Sequence, residues 1–301
     1  MSTAPPAAPP LVSGRIRALI LLAASLMLVP VLLGGNAGPA HADQNAPGGA
    51  RPAPGDAWAG MTIEAHEGRQ DAARGALLAP SGPQGIDVSH HQGTINWSNV
   101  RGAGVRWAYM KATEGTSFTD GQFDRNYTRS YQQGVIRGAY HFALPNASSG
   151  ASQAQFFHNN GGGWSADGKT LPPMLDLEYN PYGASCYGKS DSGMVQWIRS
   201  FSNKIKNLSG RYPVIYTTRD WWVSCTGNSG AFNSTSPLMI ARWSSSPTPL
   251  PNWPAWTMWQ YTSSGHVNGV GGNVDRDVFN GSLSRLRAFA RCTNENPCRV
   301  G

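Results

Sequence analysis

The stretch "PPMLDLEYN", residues 172–180, interleaves two leucines with two carboxylates, Asp176 and Glu178. Successive side chains on a β-strand point to opposite faces, so the two acids share one face and the two leucines share the other. Carboxylates are rarely placed in so apolar a run without a partner or a chemical role. The stretch therefore predicts a strand that presents two acids to one site.

Seven other short apolar runs resemble this strand (173–179) and alternate with helical patterns. They cover residues 85–89, 105–112, 135–144, 212–218, 237–243, 256–262 and 273–279. Strands that alternate with helices predict a parallel sheet with right-handed crossovers, and eight strands around one core predict a closed barrel. The connection "SSSPTPLPNWP" (244–254) is a loop, too rich in proline for a good helix. We expect an α/β fold, a single irregular TIM-like (β/α) barrel with a helix-poor C-terminal part.

The clearest helix is predicted at residues 191–208, where apolar residues recur at three- and four-residue spacing. They are Met194, Trp197, Ile198, Phe201, Ile205 and Leu208. Ser190 or Asp191 can cap the start of this helix, and Gly210 follows its end. Three further helices are expected, at residues 123–133, 150–159 and 282–290.

The N-terminal 42 residues are predicted to be a secretory signal peptide. Arg15 and Arg17 precede an apolar run at 18–33, and "AHA" (40–42) provides a cleavage site. An uncleaved membrane anchor is the alternative, and the shortness of the run and the cleavage site argue against it. No second apolar run approaches membrane length. We therefore expect a secreted, extracellular protein with no integral membrane segment after cleavage.

The rest of the chain divides by composition into three parts. Residues 43–84 are rich in alanine, glycine and proline without lasting periodicity, and are predicted to be a flexible linker or a pro-segment. Residues 85–291 form the predicted barrel, and residues 292–301 a C-terminal tail. The barrel has the size of one domain, and we expect a monomer.

Four cysteines follow the predicted signal peptide: Cys186, Cys225, Cys292 and Cys298. An even number in a secreted chain indicates two disulfides, for which three pairings are available. We favour Cys186–Cys225 with Cys292–Cys298, because the second pair is close in sequence and would tie off the tail. The spacings match no zinc pattern, so no metal or other cofactor is expected.

The charge of the chain is positive and scattered. Loss of Arg15 and Arg17 with the signal peptide lowers the formal net charge from +7 to +5. No basic run resembles a nucleic-acid-binding arm, so no nucleic-acid partner is expected. The excess fits attraction to an anionic surface such as a bacterial wall, although simple solubility explains it equally well.

Acids recur at the two ends of the predicted barrel sequence. Asp87 lies in the first strand, and Asp275 and Asp277 lie in the last. Because the first and last strands of a closed barrel are neighbours, these acids and the pair Asp176 and Glu178 can converge on one pocket. Clustered carboxylates push their pKa values apart, which suits general acid catalysis at a glycosidic bond. The competing interpretation is a set of ordinary salt-bridge partners.

Aromatic residues on the strands offer a second indication of a sugar site. Sugar rings stack their C–H faces on aromatic planes, and we assign Tyr140, Tyr216 and Trp243 to substrate binding. Trp107 and Trp197 are assigned to core packing instead.

Two other pairs of residues receive structural interpretations. His90 and His91 would point to opposite sides of a strand, which argues against a metal site. Lys111 and Glu114 are expected to pair with each other.

Five motifs, in order along residues 85–291, resemble the family 25 glycoside hydrolases, the Chalaropsis-type lysozymes. They are "GIDVSHHQGTINW" (85–97), "YMKATEGTSFTDGQF" (109–123), "GAYHFAL" (138–144), "LPPMLDLEY" (171–179) and "NVDRDVFNG" (273–281). The resemblance implies an irregular (β/α) barrel. It also implies N-acetylmuramidase activity, which is hydrolysis of the β-1,4 bond from N-acetylmuramic acid to N-acetylglucosamine in peptidoglycan.

The resemblance also assigns individual residues. Glu178 matches the family's acid and Asp176 the aspartate two residues before it, while Asp87 and Asp275 match the aspartates of the first and last strands. Tyr140 matches the tyrosine of the third-strand motif. The sequence departs from the pattern at Asp277, where similar proteins often have asparagine. The segment 181–190, which contains Cys186, suggests a loop pinned to Cys225 beside the cleft.

Two mechanisms remain open at this point. Either a carboxylate attacks the sugar, or the 2-acetamido oxygen of the substrate attacks while Asp176 orients that group and Glu178 protonates the leaving oxygen. We favour the second, because two acids side by side on one strand suit orientation and protonation better than attack from the opposite face. Two other functions also stay open: an inactive wall-binding protein, and a glycosidase acting on another acetamido-sugar polymer such as chitin.

Overall fold

The computed structural model describes residues 51–68, 79–248 and 250–292 of the chain. The chain divides into two units, Met1–Ala42 and Asp43–Gly301, and every described residue belongs to the second. The predicted signal peptide therefore lies outside the described residues. Among the residues described, no helix has the length and apolar character needed to cross a membrane.

Eight strands close a barrel, as the sequence predicts, and a ninth is added at its edge. The ring runs in the order β1, β9, β8, β7, β6, β5, β4, β2, and β2 pairs back onto β1. The short β3 pairs with β2 outside the ring. The strands are β1 (Gln84–Val88), β2 (Val105–Glu114), β3 (Phe118–Thr119), β4 (Ile136–Phe142), β5 (Met174–Asp176), β6 (Val214–Thr217), β7 (Leu238–Ala241), β8 (Met258–Gly265) and β9 (Val274–Phe279).

The direction of β9 corrects the expectation of an all-parallel sheet. Seven strands of the ring are mutually parallel, but β9 is antiparallel to both of its neighbours, β8 and β1. Only residues 266–273 separate β8 from β9. A parallel crossover needs a dozen or more residues, so this connection can only reverse the chain.

The described residues form seven α-helices besides the strands. They are α1 (Ile63–Glu67), α2 (Trp97–Gly102), α3 (Phe123–Gln132), α4 (Gly150–Asn159), α5 (Asp191–Ser209), α6 (Arg219–Thr226) and α7 (Leu283–Arg291). Helices α3, α4, α5 and α7 were predicted, whereas α1, α2 and α6 are too short for their periodicity to be distinct. The later part of the barrel is helix-poor, as expected, because the described residues between β7 and β9 contain no α-helix.

The caps of α5 show why this helix was clear in the sequence. The Ser190 side chain accepts a hydrogen bond from the Gly193 backbone N–H at the start of the helix. Gly210 follows its end in the left-handed conformation, with φ of 81°. Both caps satisfy backbone groups that a helix leaves free at its ends.

Alternation along the strands produces two apolar layers. On β5, Leu175 packs in the outer layer between barrel and helices, which also takes in the buried face of α5. Met174, on the opposite face of β5, belongs to the cluster that fills the barrel interior. Residues of α7, Leu286 and Phe289, join this inner cluster and close the end of the barrel opposite the carboxyl ends of the parallel strands.

Residues 51–68 are packed against the barrel, although they lie in the stretch predicted as a linker or pro-segment (43–84). Ala57, Ala59 and Ile63 have no solvent exposure. Ala59 and Ile63 belong to the same apolar cluster as the barrel interior. Residues 51–68 are therefore not a flexible linker, because their small and apolar side chains pack into the barrel interior.

One of the two expected disulfides lies within the described residues. Cys186 and Cys225 are bonded, and they tie the connection between β5 and α5 to helix α6. The predicted pair Cys292–Cys298 includes Cys298, which lies outside the described residues.

Candidate active site

The acids of the opening stretch lie inside the barrel at the carboxyl ends of the parallel strands. Asp176 ends β5, opposite Phe142 of β4 and Tyr216 of β6. It lies on the same face of β5 as Met174 of the inner cluster, and Glu178 follows two residues later. Both side chains are 1% exposed. The strand is shorter than predicted, but both acids still lie at the same end of the barrel interior, which is called the mouth below.

The acids of the first and last strands meet there too. Gly85 of β1 pairs with Asp277 of β9, so these two strands are neighbours as expected. The Asp87 carboxylate accepts a hydrogen bond of 2.9 Å from the Gln260 side-chain amide on β8. Asp275 and Asp277 both interact with the Asp87 side chain. The four predicted acids and Asp277 are all buried.

Burial and mutual repulsion alter the protonation of this cluster. Burial raises the pKa of Glu178 to about 7, against the opposing effect of hydrogen bonds from Gly60 and Thr62. Burial, together with the charges of Glu178 and Asp87, holds the pKa of Asp176 well above its usual range. Burial also raises the pKa of Asp87 to about 7. Near neutral pH the site therefore keeps protons that isolated carboxyls would have lost.

Three predicted aromatic residues surround the acids. Tyr140 and Tyr216 are fully buried, and Trp243 is 7% exposed. The Tyr216 hydroxyl and the Trp243 indole N–H both donate to the Gln260 side-chain oxygen, at 2.9 and 3.0 Å. Burial, with the charges of Asp87 and Asp176, holds the pKa of Tyr140 well above its usual value. These rings thus border the same space as the acids.

Gln260 was missed by the sequence analysis. It is fully buried and connects Tyr216 and Trp243 to Asp87 by accepting with its oxygen and donating with its nitrogen. The sequence did contain a signal for it. Gln260 lies between Trp259 and Tyr261 on a predicted strand, so its side chain points to the face opposite theirs. A buried amide on the inner face of a strand needs partners.

The segment 51–68 reaches the acids directly. The Gly60 backbone N–H donates to a Glu178 carboxylate oxygen at 2.7 Å. The Thr62 hydroxyl and backbone N–H donate to the other oxygen, at 2.8 and 3.3 Å. Every one of these donors lies in a stretch that the sequence analysis had placed outside the fold.

A buried ion pair lies at the other side of the mouth. Lys111 and Glu114 pair at 2.6 Å with almost no exposure, as expected from the sequence. The same ammonium also donates to the backbone carbonyls of Gly55, at 2.8 Å, and Ala57. Glu114 accepts from the Tyr182 hydroxyl at 2.5 Å. The pair Lys111–Glu114 therefore has a structural role, and it also binds residues 51–68 through the backbone of Gly55 and Ala57.

The geometry of His90 and His91 corrects the argument made from the sequence. They lie on a short 3-10 turn, not on a strand, and their ring centroids are 4.1 Å apart. Together with Asp56 they offer ligand atoms within 4.8 Å of one another, the kind of set that a divalent metal ion can use. The Asp120 carboxylate lies 3.0 Å from Nδ1 of His90 and orients its ring.

Comparison with known proteins identifies relatives of the barrel. The model of the family "Glycosyl hydrolases family 25" matches residues 86–270. The chain is 50% identical over 244 residues to lysozyme M1 of Streptomyces globisporus, covering 80% of this chain and 83% of that protein. It is 45% identical over 201 residues to an N,O-diacetylmuramidase of Chalaropsis sp, covering 64% of this chain and 95% of that protein.

Solved structures give the same picture. A bacterial lysozyme from Streptomyces coelicolor superimposes with a TM-score of 0.70 at 54% identity, covering 71% of this chain and 99% of that chain. The alignment with lysozyme M1 covers 80% of this chain, which is more than the share that lies between residues 79 and 301. Its similarity therefore extends into the residues that precede the barrel.

Proposed function

We propose that this chain, which belongs to glycosyl hydrolases family 25, hydrolyses the β-1,4 bond between N-acetylmuramic acid and N-acetylglucosamine with Glu178 as its general acid. Family membership and the relatives named as lysozymes and muramidases make the chain a glycoside hydrolase of the muramidase class. Its substrate is therefore peptidoglycan. The bond and the residue roles are the proposal.

The observation that carries the proposal is the pair Asp176 and Glu178, buried side by side at the mouth of the barrel. A carboxyl with a pKa of about 7, as Glu178 has, still holds its proton in near-neutral conditions. It can then give that proton to the glycosidic oxygen as the bond breaks. An ordinary exposed glutamate would already be ionised at this pH.

Asp176 supports a substrate-assisted mechanism. Its buried carboxylate oxygens lie beside the Glu178 carboxyl, and neither accepts a hydrogen bond from an N–H or hydroxyl group of the described residues. The N–H of a 2-acetamido group is a suitable donor for it. An ionised Asp176 would orient that group and polarise its N–H, so that the acetamido oxygen attacks the anomeric carbon while Glu178 protonates the leaving oxygen. Water then opens the cyclic intermediate, with Glu178 acting as base.

The two acids share their protons as a pair. In this structure Gly60 and Thr62 donate three hydrogen bonds to Glu178, which lower its pKa, while the charge of Glu178 helps to hold the pKa of Asp176 well above its usual range. A substrate N–H donated to Asp176 would favour the ionised form of Asp176 and the protonated form of Glu178. Binding of the acetamido group would thus convert the pair into its catalytic state.

The other predicted site residues support this pair. The charge of Asp87 contributes to the raised pKa of Asp176, and the charge of Asp87 also raises that of Asp275. We assign Asp87 and Asp275 to the electrostatic tuning of the site. Tyr140, Tyr216 and Trp243 are assigned to sugar contacts, because their rings border the acids.

The place of action follows from the substrate. Peptidoglycan lies outside the bacterial membrane, so the enzyme must be exported to reach it. We propose that residues 1–42 direct that export and that the mature protein acts outside the cell as a monomer.

The test uses purified bacterial walls and the chain from Asp43 onward. Because residues 51–68 cover Glu178 here, a recognition site for a sequence-specific protease replaces residues 70–77, and the chain is assayed after cleavage. We expect clearing of the walls, with muramic acid at the new reducing ends after borohydride reduction. The Glu178→Gln variant should clear the walls at least about 100-fold more slowly.

The alternative functions give different results in this assay. Equal clearing by Glu178→Gln would move the chemistry to another residue. Wall binding without clearing by either protein would indicate a binding protein. Release of sugar from chitin in place of walls would indicate a different acetamido polymer as substrate.

A further inference from the structure

Residues 51–68, called the N-terminal segment below, fill the mouth of the barrel above the carboxylates. We propose that the N-terminal segment is an intramolecular inhibitor that occupies the glycan-binding groove and keeps the uncut enzyme inactive. The inference rests on the proposed function for the identity of the groove, and it adds a regulatory step to that function.

The first argument is steric. Ala59 and Ile63 of the N-terminal segment are fully buried in the same apolar cluster as Tyr140, Tyr216 and Trp243. A sugar ring and this part of the segment cannot occupy the same space. The cavity of about 300 Å³ that remains beside Asp275 is itself walled by Trp58 and Met61 of the segment.

Gly60 shows how closely the segment fits. Its φ is 92°, a conformation that favours glycine. A Cβ atom at this position would lie 3.1 Å from both the Gln260 side-chain oxygen and the Tyr216 hydroxyl, and 3.2 Å from the Trp243 ring. A Cβ atom here would therefore be in tighter contact with three groups of the site than Cβ atoms usually are.

The second argument is chemical. The segment donates three hydrogen bonds to Glu178, from the backbone and hydroxyl of Thr62 and the backbone of Gly60. Hydrogen bonds to a carboxylate favour its ionised form, which cannot protonate a leaving group. The segment thus blocks the groove, and its hydrogen bonds occupy both carboxyl oxygens of the proposed acid and lower its pKa.

The third argument is that both ends of the segment are anchored on the barrel. At the N-terminal end, Gly55 and Ala57 give their carbonyls to Lys111, and the Gly55 N–H donates to Glu114 at 3.1 Å. At the C-terminal end, the His66 and Tyr179 rings stack with centroids 4.1 Å apart and planes 5° from parallel.

The hydroxyl of the same tyrosine, Tyr179, also donates to Glu67 at 3.0 Å. Contacts at both ends and in the middle of the segment indicate a specific binding mode, which a chance contact would not produce.

Covalent attachment strengthens a contact of this kind. A tethered segment reaches its site at an effective concentration on the order of 1 mM, so modest intrinsic affinity keeps the groove occupied. Cleavage of the chain between Gly68 and the barrel removes this advantage. The freed segment can then dissociate on dilution, and the glycan can take its place.

The experiment compares three forms of the chain from Asp43 onward, each with the engineered protease site at residues 70–77. They are the parent, Ala59→Asp and Ala65→Asp. Both variants place the same charge on the same segment, but Ala59 is fully buried in the inner apolar cluster, next to Gly60, whereas Ala65 is exposed. Neither residue belongs to the proposed catalytic machinery. Activity on walls is measured before cleavage, and again after cleavage and dilution.

We expect the uncut parent and uncut Ala65→Asp to be at least tenfold less active than their cut and diluted forms. Uncut Ala59→Asp should already be as active as its cut form, because an added carboxylate cannot remain beside Glu178. Gly60→Val, which forces a side chain against Tyr216 and Trp243, is a second variant that should release the groove. Equal activity of the parent before and after cleavage would overturn the proposal.

A binding measurement separates this inference from the proposed function. The cut and purified barrel is titrated with soluble peptidoglycan fragments in the presence of a synthetic peptide of residues 51–68. We expect the peptide to compete at concentrations below roughly 1 mM, and the peptide with Ala59→Asp to fail.

Competition without hydrolysis would support the inhibitor and contradict the proposed activity. Hydrolysis that the peptide does not affect, in a parent that needs no cleavage, would support the activity and contradict the inhibitor.

Discussion

The two ends of the barrel are both closed, but by different chemistry. At one end, α7 packs Leu286 and Phe289 into the inner cluster, and the Phe279 and Phe289 rings lie 5.9 Å apart. At the other end, residues 51–68 also place Ala59 and Ile63 in the inner cluster, but they add hydrogen bonds to Glu178 and to the pair Lys111–Glu114. Closure by α7 is apolar packing that belongs to the barrel core. The hydrogen bonds of residues 51–68 to charged groups can be replaced by a ligand that offers the same contacts.

The end closed by α7 contributes mainly to the stability of the fold, whereas the mouth contains the groups proposed to carry the function. The end closed by α7 removes apolar surface from water, which is the dominant favourable term in folding. The mouth collects five buried acids whose raised pKa values show that ionisation there is unfavourable. The buried acids of the mouth therefore destabilise the folded state, and the packing of the rest of the barrel must offset this loss of folding free energy.

The largest expected effect is on catalysis at the mouth. Asp176→Asn, like Glu178→Gln, should lower kcat on walls by about 100-fold or more, because it removes the group that orients the acetamido N–H. Thermal unfolding of the variant should change little or shift upward, since a buried ionisable group is replaced by a neutral one. The assay uses the cut and diluted chain, with Asp124→Asn on the exposed face of α3 as the matched control.

Mass spectrometry with a slow substrate refines this prediction. A covalent glycosyl adduct on Asp176 would rule out the substrate-assisted mechanism in favour of direct attack.

At the opposite end, Phe289→Ala should lower the free energy of unfolding by about 3–4 kcal/mol, because it opens a cavity in the inner cluster. The folded enzyme should keep its activity, since this residue is remote from the acids. Denaturant unfolding measures the first effect and wall clearing the second. Ala288→Ser, on the exposed face of the same helix, is the control. A loss of activity without loss of stability would show that the two ends are coupled.

Removal of the Cys186–Cys225 disulfide by serine at both positions should cost about 4 kcal/mol, because the bond joins residues that are 39 positions apart in the unfolded chain. The bond ties the connection after β5 to α6, so part of the effect falls on the mouth. The loss is measured as the difference in unfolding between the parent and the variant, both without a reductant. An unchanged midpoint would mean that the loop is already restricted in the unfolded chain, so that the bond removes little further entropy.

The smallest effect is expected from Asp277→Asn, and it depends on pH. Asp277 is fully buried beside the Asp87 carboxyl, neither of its oxygens accepts a hydrogen bond from an N–H or hydroxyl group of the described residues, and burial holds its pKa well above the usual range. A raised pKa in the folded state stabilises the fold at low pH, and this stability is lost as pH rises and the group ionises.

The variant should therefore be about as stable as the parent at pH 4, and it should become more stable than the parent as pH rises above the usual carboxyl range, by at least about 1 kcal/mol at pH 8. Thermal unfolding across this range measures the difference. A variant that is destabilised at every pH would indicate that Asp277 has a partner in solution.

Much of the barrel was predictable because the signals are local. Each of the eight predicted ring strands is present, and α5 begins and ends at the residues that its caps indicated. The direction of a strand was not predictable in this way, because side chains alternate with a period of two in both parallel and antiparallel strands. The short connection before β9 was the signal for reversal, and it was not used. The turn of His90 and His91 was missed because two adjacent residues carry no periodicity.

The sequence by itself determined the alternation of strands and helices and the acids at the first, middle and last strands, because these depend on residue spacing. Only the tertiary structure decided that residues 51–68 bind in the mouth, that Gln260 connects Tyr216 and Trp243 to Asp87, and that β9 runs backwards. Such contacts join residues far apart in the chain. They follow from the shape and charge of a cavity that exists only when the barrel has closed.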